Sequence, residues 1–178
     1  MSLLCPSWLS FILYNPIRKT FTDRQEVMDE SGITPDSVVL EVGAGNGFFT
    51  EALAGRAKKV IAIELQQGMV RKLEKRLERF GSRVAIIAGD IADVRLGAEI
   101  ADVCLLYYSF HEIARQHAAA AVISHCLKTH GTLSIYEPSV EVNRKKMDAT
   151  VMLFLNHGFI LQTADRRAFS RFVRMKKL

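Results

Sequence analysis

Short runs of β-branched and other apolar residues alternate along the chain with longer segments of helical periodicity. This alternation predicts an α/β fold in which helices connect parallel strands. The predicted strands are apolar on both faces, as is typical of strands buried between two layers of helices. They are Val38–Val42, Val60–Glu64, Val84–Ala88, Val103–Tyr107 and Thr132–Tyr136.

The clearest helical pattern covers Gln67–Phe80, where apolar residues recur at helical spacing and charged residues fill the other positions. Gly81 is predicted to end this helix as its C-cap. Further helices are predicted at Phe48–Ala57, Ala114–Leu127 and Asn143–Asn156.

The end of the chain predicts two more strands, Phe159–Thr163 and Phe169–Met175, joined by the polar turn 164–167. A short connection favours an antiparallel pair. The sequence therefore predicts a doubly wound sheet of seven strands, mostly parallel, with an antiparallel strand near the C-terminus.

The 178 residues fit a single domain, 1–178. The core is predicted over 36–178. Residues 1–35 are not needed by the sheet, and helices are predicted there at Phe11–Tyr14 and Asp23–Glu30. We interpret 1–35 as a helical lid over a ligand crevice, with simple packing on the core as the alternative.

Net charge is +5, but six of the 24 basic residues lie beyond Asp165, and residues 1–165 carry 18 basic against 19 acidic side chains. The basic last strand is interpreted as a solvated edge strand protected by its charge, with a phosphate-binding edge as the alternative. Three cysteines match no disulfide or zinc framework, which favours a reducing, cytoplasmic location. A targeting signal is disfavoured, and no apolar run reaches the roughly 18 residues of a membrane span.

A glycine-rich turn, Gly43-Ala44-Gly45-Asn46-Gly47, lies between the first predicted strand and the next helix. Such turns let a ligand approach the backbone and the helix N-terminus. Phe48 occupies the position where dinucleotide-binding turns need a glycine, which argues against NAD or FAD. Glu64 closes the second strand 21 residues after Gly43, the spacing of a carboxylate that binds ribose hydroxyls. The motif indicates an adenosine-like ligand without a pyrophosphate.

At these residues the sequence resembles the class I S-adenosylmethionine-dependent methyltransferases, whose fold is Rossmann-like. The run 39–47 is similar to their first motif, Val60–Glu64 to their second strand, 88–91 to their adenine loop, and 102–111 to their fourth strand and the loop after it. His111-Glu112 and Glu137-Pro138 resemble the ubiquinone- and menaquinone-biosynthesis type of small-molecule methyltransferase.

The resemblance implies a set of residues that bind S-adenosylmethionine. Glu64 would hold the ribose, Asp90 would accept a hydrogen bond from the adenine amine, and the glycines would lie under the methionine half. The implied set is Glu41, Gly43, Ala44, Gly45, Gly47, Glu64, Leu65, Asp90, Ile91 and Tyr107, with Leu65 and Ile91 on the two faces of the adenine. As alternatives, Glu64 would be a solvent-facing residue and Asp90 a helix cap.

Methyl transfer from a sulfonium is an in-line displacement that depends mainly on positioning. His111 is the best candidate for a general base if the acceptor must lose a proton, and Tyr108 lies beside it in the same loop. A structural role for His111 at the start of the next helix is the alternative. The other histidines are scattered, and no metal is assigned.

We expect an enzyme that methylates a small-molecule acceptor. The stretch 51–65 and the basic helix after it also resemble the rRNA adenine dimethyltransferases, so an RNA methyltransferase is the first alternative. The loop Tyr107–His111 lacks the Asn-Pro-Pro-Tyr-like sequence of enzymes that methylate a flipped adenine, which disfavours a nucleic-acid acceptor. A non-catalytic donor-binding sensor or partner subunit is the second alternative, and a homodimer is left open.

Overall fold

In the computed structural model, which describes residues 23–167 and 169–178, one seven-stranded sheet has the order β3-β2-β1-β4-β5-β7-β6. The strands are β1 (Val38–Val42), β2 (Lys59–Glu64), β3 (Val84–Ala88), β4 (Ala101–Tyr107), β5 (Leu127–Pro138), β6 (Phe159–Arg166) and β7 (Ser170–Lys177). Strand β7 pairs antiparallel with both β5 and β6, and the other pairs are parallel. The predicted fold class is confirmed.

Five α-helices are described, and they cover the two faces of the sheet. They are α1 (Arg24–Glu30), α2 (Phe48–Arg56), α3 (Gln67–Leu77), α4 (Gln116–Cys126) and α5 (Arg144–Leu155), with short 3₁₀ helices at Glu78–Arg83 and Phe110–Glu112. Each of these α-helices corresponds to a predicted helix, and the observed ends differ from the predicted ends by a few residues. The predicted helix at Phe11–Tyr14 lies outside the described residues.

Alternate residues of each central strand pack into different cores, because successive side chains of a strand point to opposite faces. On β1, Leu40 and Val42 contribute to the core under α4 and α5. Val39 faces the other way, into the core that α1, α2 and α3 cover. This double burial explains why the strands read as continuous apolar runs.

Residues 23–35 pack on the core. Asp23 caps α1 by accepting from the backbone N–H of Gln25 and Glu26, and Val27, Met28 and Ile33 are buried against α2. The lid predicted for 1–35 therefore stays a prediction that concerns residues 1–22, which lie outside the described part.

Two element boundaries differ from the prediction for local backbone reasons. Helix α3 ends at Leu77, and Gly81 is the kink inside the 3₁₀ segment that follows it, with φ 53° and ψ −133°. Strand β5 begins at Leu127 rather than Thr132. Leu127 pairs with Ala101, and after a register shift the pairing resumes between Thr132 and Val103, so the prediction found only the part of the strand after the shift.

The prediction that the last strand is an edge strand was wrong. Strand β7 lies between β5 and β6, so its basic side chains reach across the sheet and bond inside the molecule. Arg171 donates to the carbonyl of Val142 at 2.6 Å, and Arg174 donates to the carbonyl of Glu30 at 2.8 Å. Arg171 and Arg174 thus bond within the fold instead of forming a phosphate-binding edge.

No helix among the described residues has the length and apolar character needed to cross a membrane.

Candidate functional site

The predicted site residues lie at or after the carboxyl ends of β1, β2, β3 and β4. The glycine turn leaves β1 and is tied to β2, since the N–H groups of Gly43 and Ala44 donate to the carbonyl of Ile63 at 2.9 and 3.1 Å. Ligands of doubly wound sheets bind at this edge, where the strand order reverses between β1 and β4.

The three glycines of the turn have positive φ angles but different surroundings. A Cβ on Gly43 would lie 2.5 Å from the Cβ of Ser109, and one on Gly47 would lie 2.9 Å from a methyl carbon of Leu73. A Cβ on Gly45 would meet no heavy atom within 4 Å. Gly43 and Gly47 therefore allow internal packing, whereas Gly45 faces the open space that a ligand would use.

Glu64 is buried at the end of β2 and holds the glycine turn directly. Its carboxylate accepts from the backbone N–H of Gly45 at 2.8 Å and of Gln66 at 2.7 Å. Burial raises the pKa of Glu64, although these backbone hydrogen bonds oppose the rise. A carboxylate oxygen accepts more than one hydrogen bond, so Glu64 retains capacity for ribose hydroxyls beside Gly45.

Glu41 lies in β1 below the turn and is 3 % exposed. Burial is the main cause that raises its pKa to about 8, with a contribution from the charge of Glu64, while Thr50 opposes the rise. Its Oε2 atom is buried and has no hydrogen-bond partner among the described residues. A buried polar oxygen of this kind is normally satisfied.

The open space at Gly45, the carboxylate of Glu64 and the unsatisfied oxygen of Glu41 fit S-adenosylmethionine. The donor offers ribose hydroxyls to one carboxylate and a positively charged methionine half to the other. A cation near Glu41 would also favour its ionised form.

The residues predicted to bind adenine follow β2 and β3, which pair side by side up to Glu64 and Ala88. Leu65 is 47 % exposed, whereas Ile91 is only 3 % exposed and lies in the core under α4. Asp90 accepts from the N–H of Ala92 and from the Arg115 guanidinium, at 2.9 and 2.8 Å. Asp90 therefore caps a turn and not a helix, and its role toward adenine stays a prediction.

Aromatic rings gather at the end of β4. The ring of Tyr107 lies 4.2 Å from that of Phe49 and is stacked at 4.3 Å on Tyr108. Tyr108 has a φ of 57°, and its N–H donates to the carbonyl of Tyr136 at 2.8 Å. Both Tyr107 and Tyr108 are partly exposed, so the site has an aromatic surface next to the glycine turn.

His111 is held between two carboxylates. Glu137, which is buried on β5, accepts from the backbone N–H of His111 at 3.1 Å and bonds its Nδ1 atom; Glu141 bonds Nε2 at 3.0 Å. Burial alone would lower the pKa of His111, but the hydrogen bond and charge of Glu137 and the charges of Glu141 and Glu112 raise it. Both ring nitrogens bond carboxylates, which suits the protonated imidazolium. His111 therefore acts as a base only after it loses a proton and Glu141 moves away.

The raised pKa predicts a pH-dependent contribution of His111 to stability. The folded-state pKa lies above the unfolded value of 6.5, so the stabilisation is complete below that value and is lost as pH rises through the folded-state pKa. Urea unfolding between about pH 5.5 and 9 should show the wild type exceeding His111→Gln most at the acidic end. Glu141→Gln, which keeps both bonds to Glu137, should lose only part of this difference; a difference that does not change with pH would refute the ion-pair account.

The sequence reasoning missed Ser109, Glu137 and Glu141. Ser109 closes over Gly43 and donates to the carbonyl of Val42 at 2.7 Å. Glu137 could have been found, because an acid at the end of the fifth strand must lie near the loop that follows the fourth. Within 23–167 and 169–178, no group of His, Cys, Asp and Glu could hold a metal ion.

The sequence matches a known protein family. The family model described as "Ribosomal RNA adenine dimethylase" matches residues 21–175. A probable ribosomal RNA small subunit methyltransferase A from Methanosarcina barkeri is 49 % identical over 74 residues, which are 42 % of this chain and 25 % of that protein. The chain thus spans about a quarter of that relative's length.

Other matches extend over most of the chain. An uncharacterized methyltransferase from Geobacillus thermodenitrificans is 27 % identical over 180 residues, covering 85 % of this chain and 82 % of that protein. The crystal structure of a SAM-dependent methyltransferase from Aquifex aeolicus matches with a TM-score of 0.85 at 19 % identity, covering 97 % of this chain and 99 % of that one. The structural match supports the methyltransferase fold.

Proposed function

The chain belongs to the ribosomal RNA adenine dimethylase family, and from this premise we propose that it transfers a methyl group from S-adenosylmethionine to an amino nitrogen of an RNA base. The observation that carries the donor half is the open space at Gly45 beside the buried carboxylate of Glu64. The family match over 21–175 supports the acceptor half, and it favours the RNA alternative over the small-molecule acceptor expected from the sequence.

In this proposal the protein contributes positioning. When bound, the donor supplies a methyl group that is already activated by its sulfonium, so the chain has to hold two reactants in line. Glu64 fixes the turn and accepts from the ribose, and the missing side chain of Gly45 leaves room for the ligand. Glu41 offers its unsatisfied oxygen to a donor group of the methionine half.

The acceptor is proposed to stack on the aromatic surface at the end of β4. Tyr108 is partly exposed and stacked on Tyr107, and base–aromatic stacking contributes about 1–3 kcal/mol per base. The loop lacks the Asn and Pro residues of enzymes that methylate a flipped adenine. In their place Glu112 and Glu141 supply carboxylate acceptors for an amine, next to His111.

A small-molecule amine is the second candidate, and the acidic surroundings of His111 favour it. The charges of Glu112, Glu137 and Glu141 all raise the pKa of His111. A site surrounded by carboxylates attracts an amine more readily than a polyanion such as RNA. The relative that matches most of the chain is itself uncharacterized.

A methyl-transfer assay separates the two candidates. Purified protein is incubated with donor carrying a tritiated methyl group and either total RNA or the low-mass fraction of a cell extract, with Glu64→Ala as the control for donor binding. The proposal predicts label in RNA that is recovered, after nuclease digestion, in a nucleoside methylated on its amino nitrogen. Label confined to the low-mass fraction would contradict it and support the second candidate.

A further inference from the structure

Helix α3 and the 3₁₀ segment after it carry basic side chains along one outer face. Arg71 and Lys75 lie about one turn apart on α3, and Arg79 follows in the 3₁₀ segment. All three are exposed, while Leu73 and Leu77 are buried on the opposite face. The span 71–83 contains six basic residues and two acidic ones, Glu74 and Glu78. Six basic against two acidic side chains leave this span with a net charge of +4, so we call its exposed basic face the positive band.

The band starts close to the candidate site. Helix α3 begins at Gln67, and the N–H of Gln66 is bonded to the carboxylate of Glu64. With a rise of about 1.5 Å per residue, Arg71 lies one turn into the helix and Lys75 about 6 Å further along. The positive face therefore leads away from the edge of the sheet where the glycine turn and the aromatic rings lie.

At its far end the band meets an open cavity of about 750 Å³. Among the described residues that line it, Arg24, Arg56 and Arg79 are basic and Glu51 is acidic. Arg56 donates to Gln25 at 2.7 Å and is also ion-paired with Asp29, and Arg79 donates to Glu51 at 2.8 Å. A guanidinium has five N–H donors, so these bonds fix the groups in place and leave donors available for an anion.

The basic residues of β7 offer no comparable surface. Arg171 and Arg174 donate to backbone carbonyls inside the fold, and the Lys177 ammonium donates to the carbonyl of Leu127 at 2.6 Å. Unlike these residues, Arg71, Lys75 and Arg79 are exposed, so the α3 face offers a basic surface that continues from the site.

We propose that this face, defined by Arg71, Lys75 and Arg79, binds the phosphodiester backbone of a single-stranded RNA while one of its bases occupies the site. The inference rests on the proposed function for its choice of RNA, but the contacts are to phosphates and carry no sequence preference. Such contacts release counterions. For a single strand, the logarithm of the association constant should therefore fall by about 0.7 per phosphate contact for each tenfold rise in salt concentration.

The test uses two variants with equal charge change. Arg71→Gln/Lys75→Gln removes two charges from the band, and Arg144→Gln/Lys145→Gln removes two exposed charges from the start of α5. Binding of a fluorescently labelled single-stranded RNA oligonucleotide is measured by anisotropy over a salt series. Calorimetry with S-adenosylhomocysteine checks that both variants keep the donor site.

The proposal predicts that Arg71→Gln/Lys75→Gln, the band variant, lowers RNA affinity at least several-fold. The slope of the logarithm of the association constant against the logarithm of salt concentration should become shallower by roughly 1.4. The α5 variant should match the wild type, and both should bind the donor product normally. Equal RNA affinity in the two variants, or no salt-dependent binding by the wild type, would overturn the proposal.

The RNA-binding surface and the proposed function can be refuted separately. If the band variant loses RNA binding while the wild type methylates only small molecules, the surface is established and the proposed function is wrong. If the wild type methylates RNA and the band variant does so with unchanged KM, the function stands and the surface proposal is wrong.

Discussion

Gly45→Ala should weaken donor binding while the protein remains folded. Gly43→Ala should instead mainly lower the stability of the fold. Both residues have positive φ, so each substitution carries a similar backbone strain of about 1–2 kcal/mol. Only at Gly43 would the new Cβ collide, 2.5 Å from the Cβ of Ser109, which adds about 1–3 kcal/mol of overpacking. At Gly45 the methyl group enters the open space, where it should weaken donor binding roughly 10- to 100-fold.

Thermal unfolding and calorimetric titration with S-adenosylhomocysteine measure the two effects separately. Gly32→Ala is the matched control for strain, because Gly32 has φ 69° and an added Cβ there meets nothing within 4 Å. Gly45→Ala should unfold at about the same temperature as this control. Normal donor binding by Gly45→Ala would show that the ligand does not lie over the turn.

The second large effect is expected at Glu64. Glu64→Ala removes the acceptor of two backbone N–H groups and the proposed partner of the ribose, so we expect donor binding to weaken by about 1–3 kcal/mol, or roughly 5- to 150-fold. Glu74→Ala, an exposed acid on α3, is the control and should bind normally.

A thermodynamic cycle isolates the ribose contact from the effect on the turn. Calorimetry compares S-adenosylhomocysteine with its 2′-deoxy analogue in the wild type and in Glu64→Gln, which keeps an oxygen acceptor for the turn. Loss of the hydroxyl should weaken binding clearly in the wild type and much less in the variant. Equal losses in both proteins would mean that Glu64 holds only the turn.

Much of the fold is predictable because burial on both faces leaves a strong signal. Strands β1 and β3 begin and end at the predicted residues, and Glu64 closes β2 as expected. The position of β7 is not visible in the same way, because strand order depends on which edges pair in three dimensions. The basic residues of β7 therefore look solvated in the sequence although they bond inside the molecule.

The candidate site is predictable where backbone geometry defines it and less so where side chains do. The turn at Gly45 and the carboxylate of Glu64 follow from spacing along the chain. The partners of His111 depend on how the loop after β4 folds toward β5, so Glu137 and Glu141 emerge only from the structure.

We propose that the turn after β1 holds an adenosine-containing methyl donor whose ribose is bound by Glu64. The decisive experiment is a crystal structure of the protein with S-adenosylhomocysteine. The nucleoside should lie over Gly45, with ribose hydroxyl oxygens within about 3 Å of the Glu64 carboxylate. A nucleoside bound elsewhere, or ribose hydroxyls contacting other residues, would contradict it.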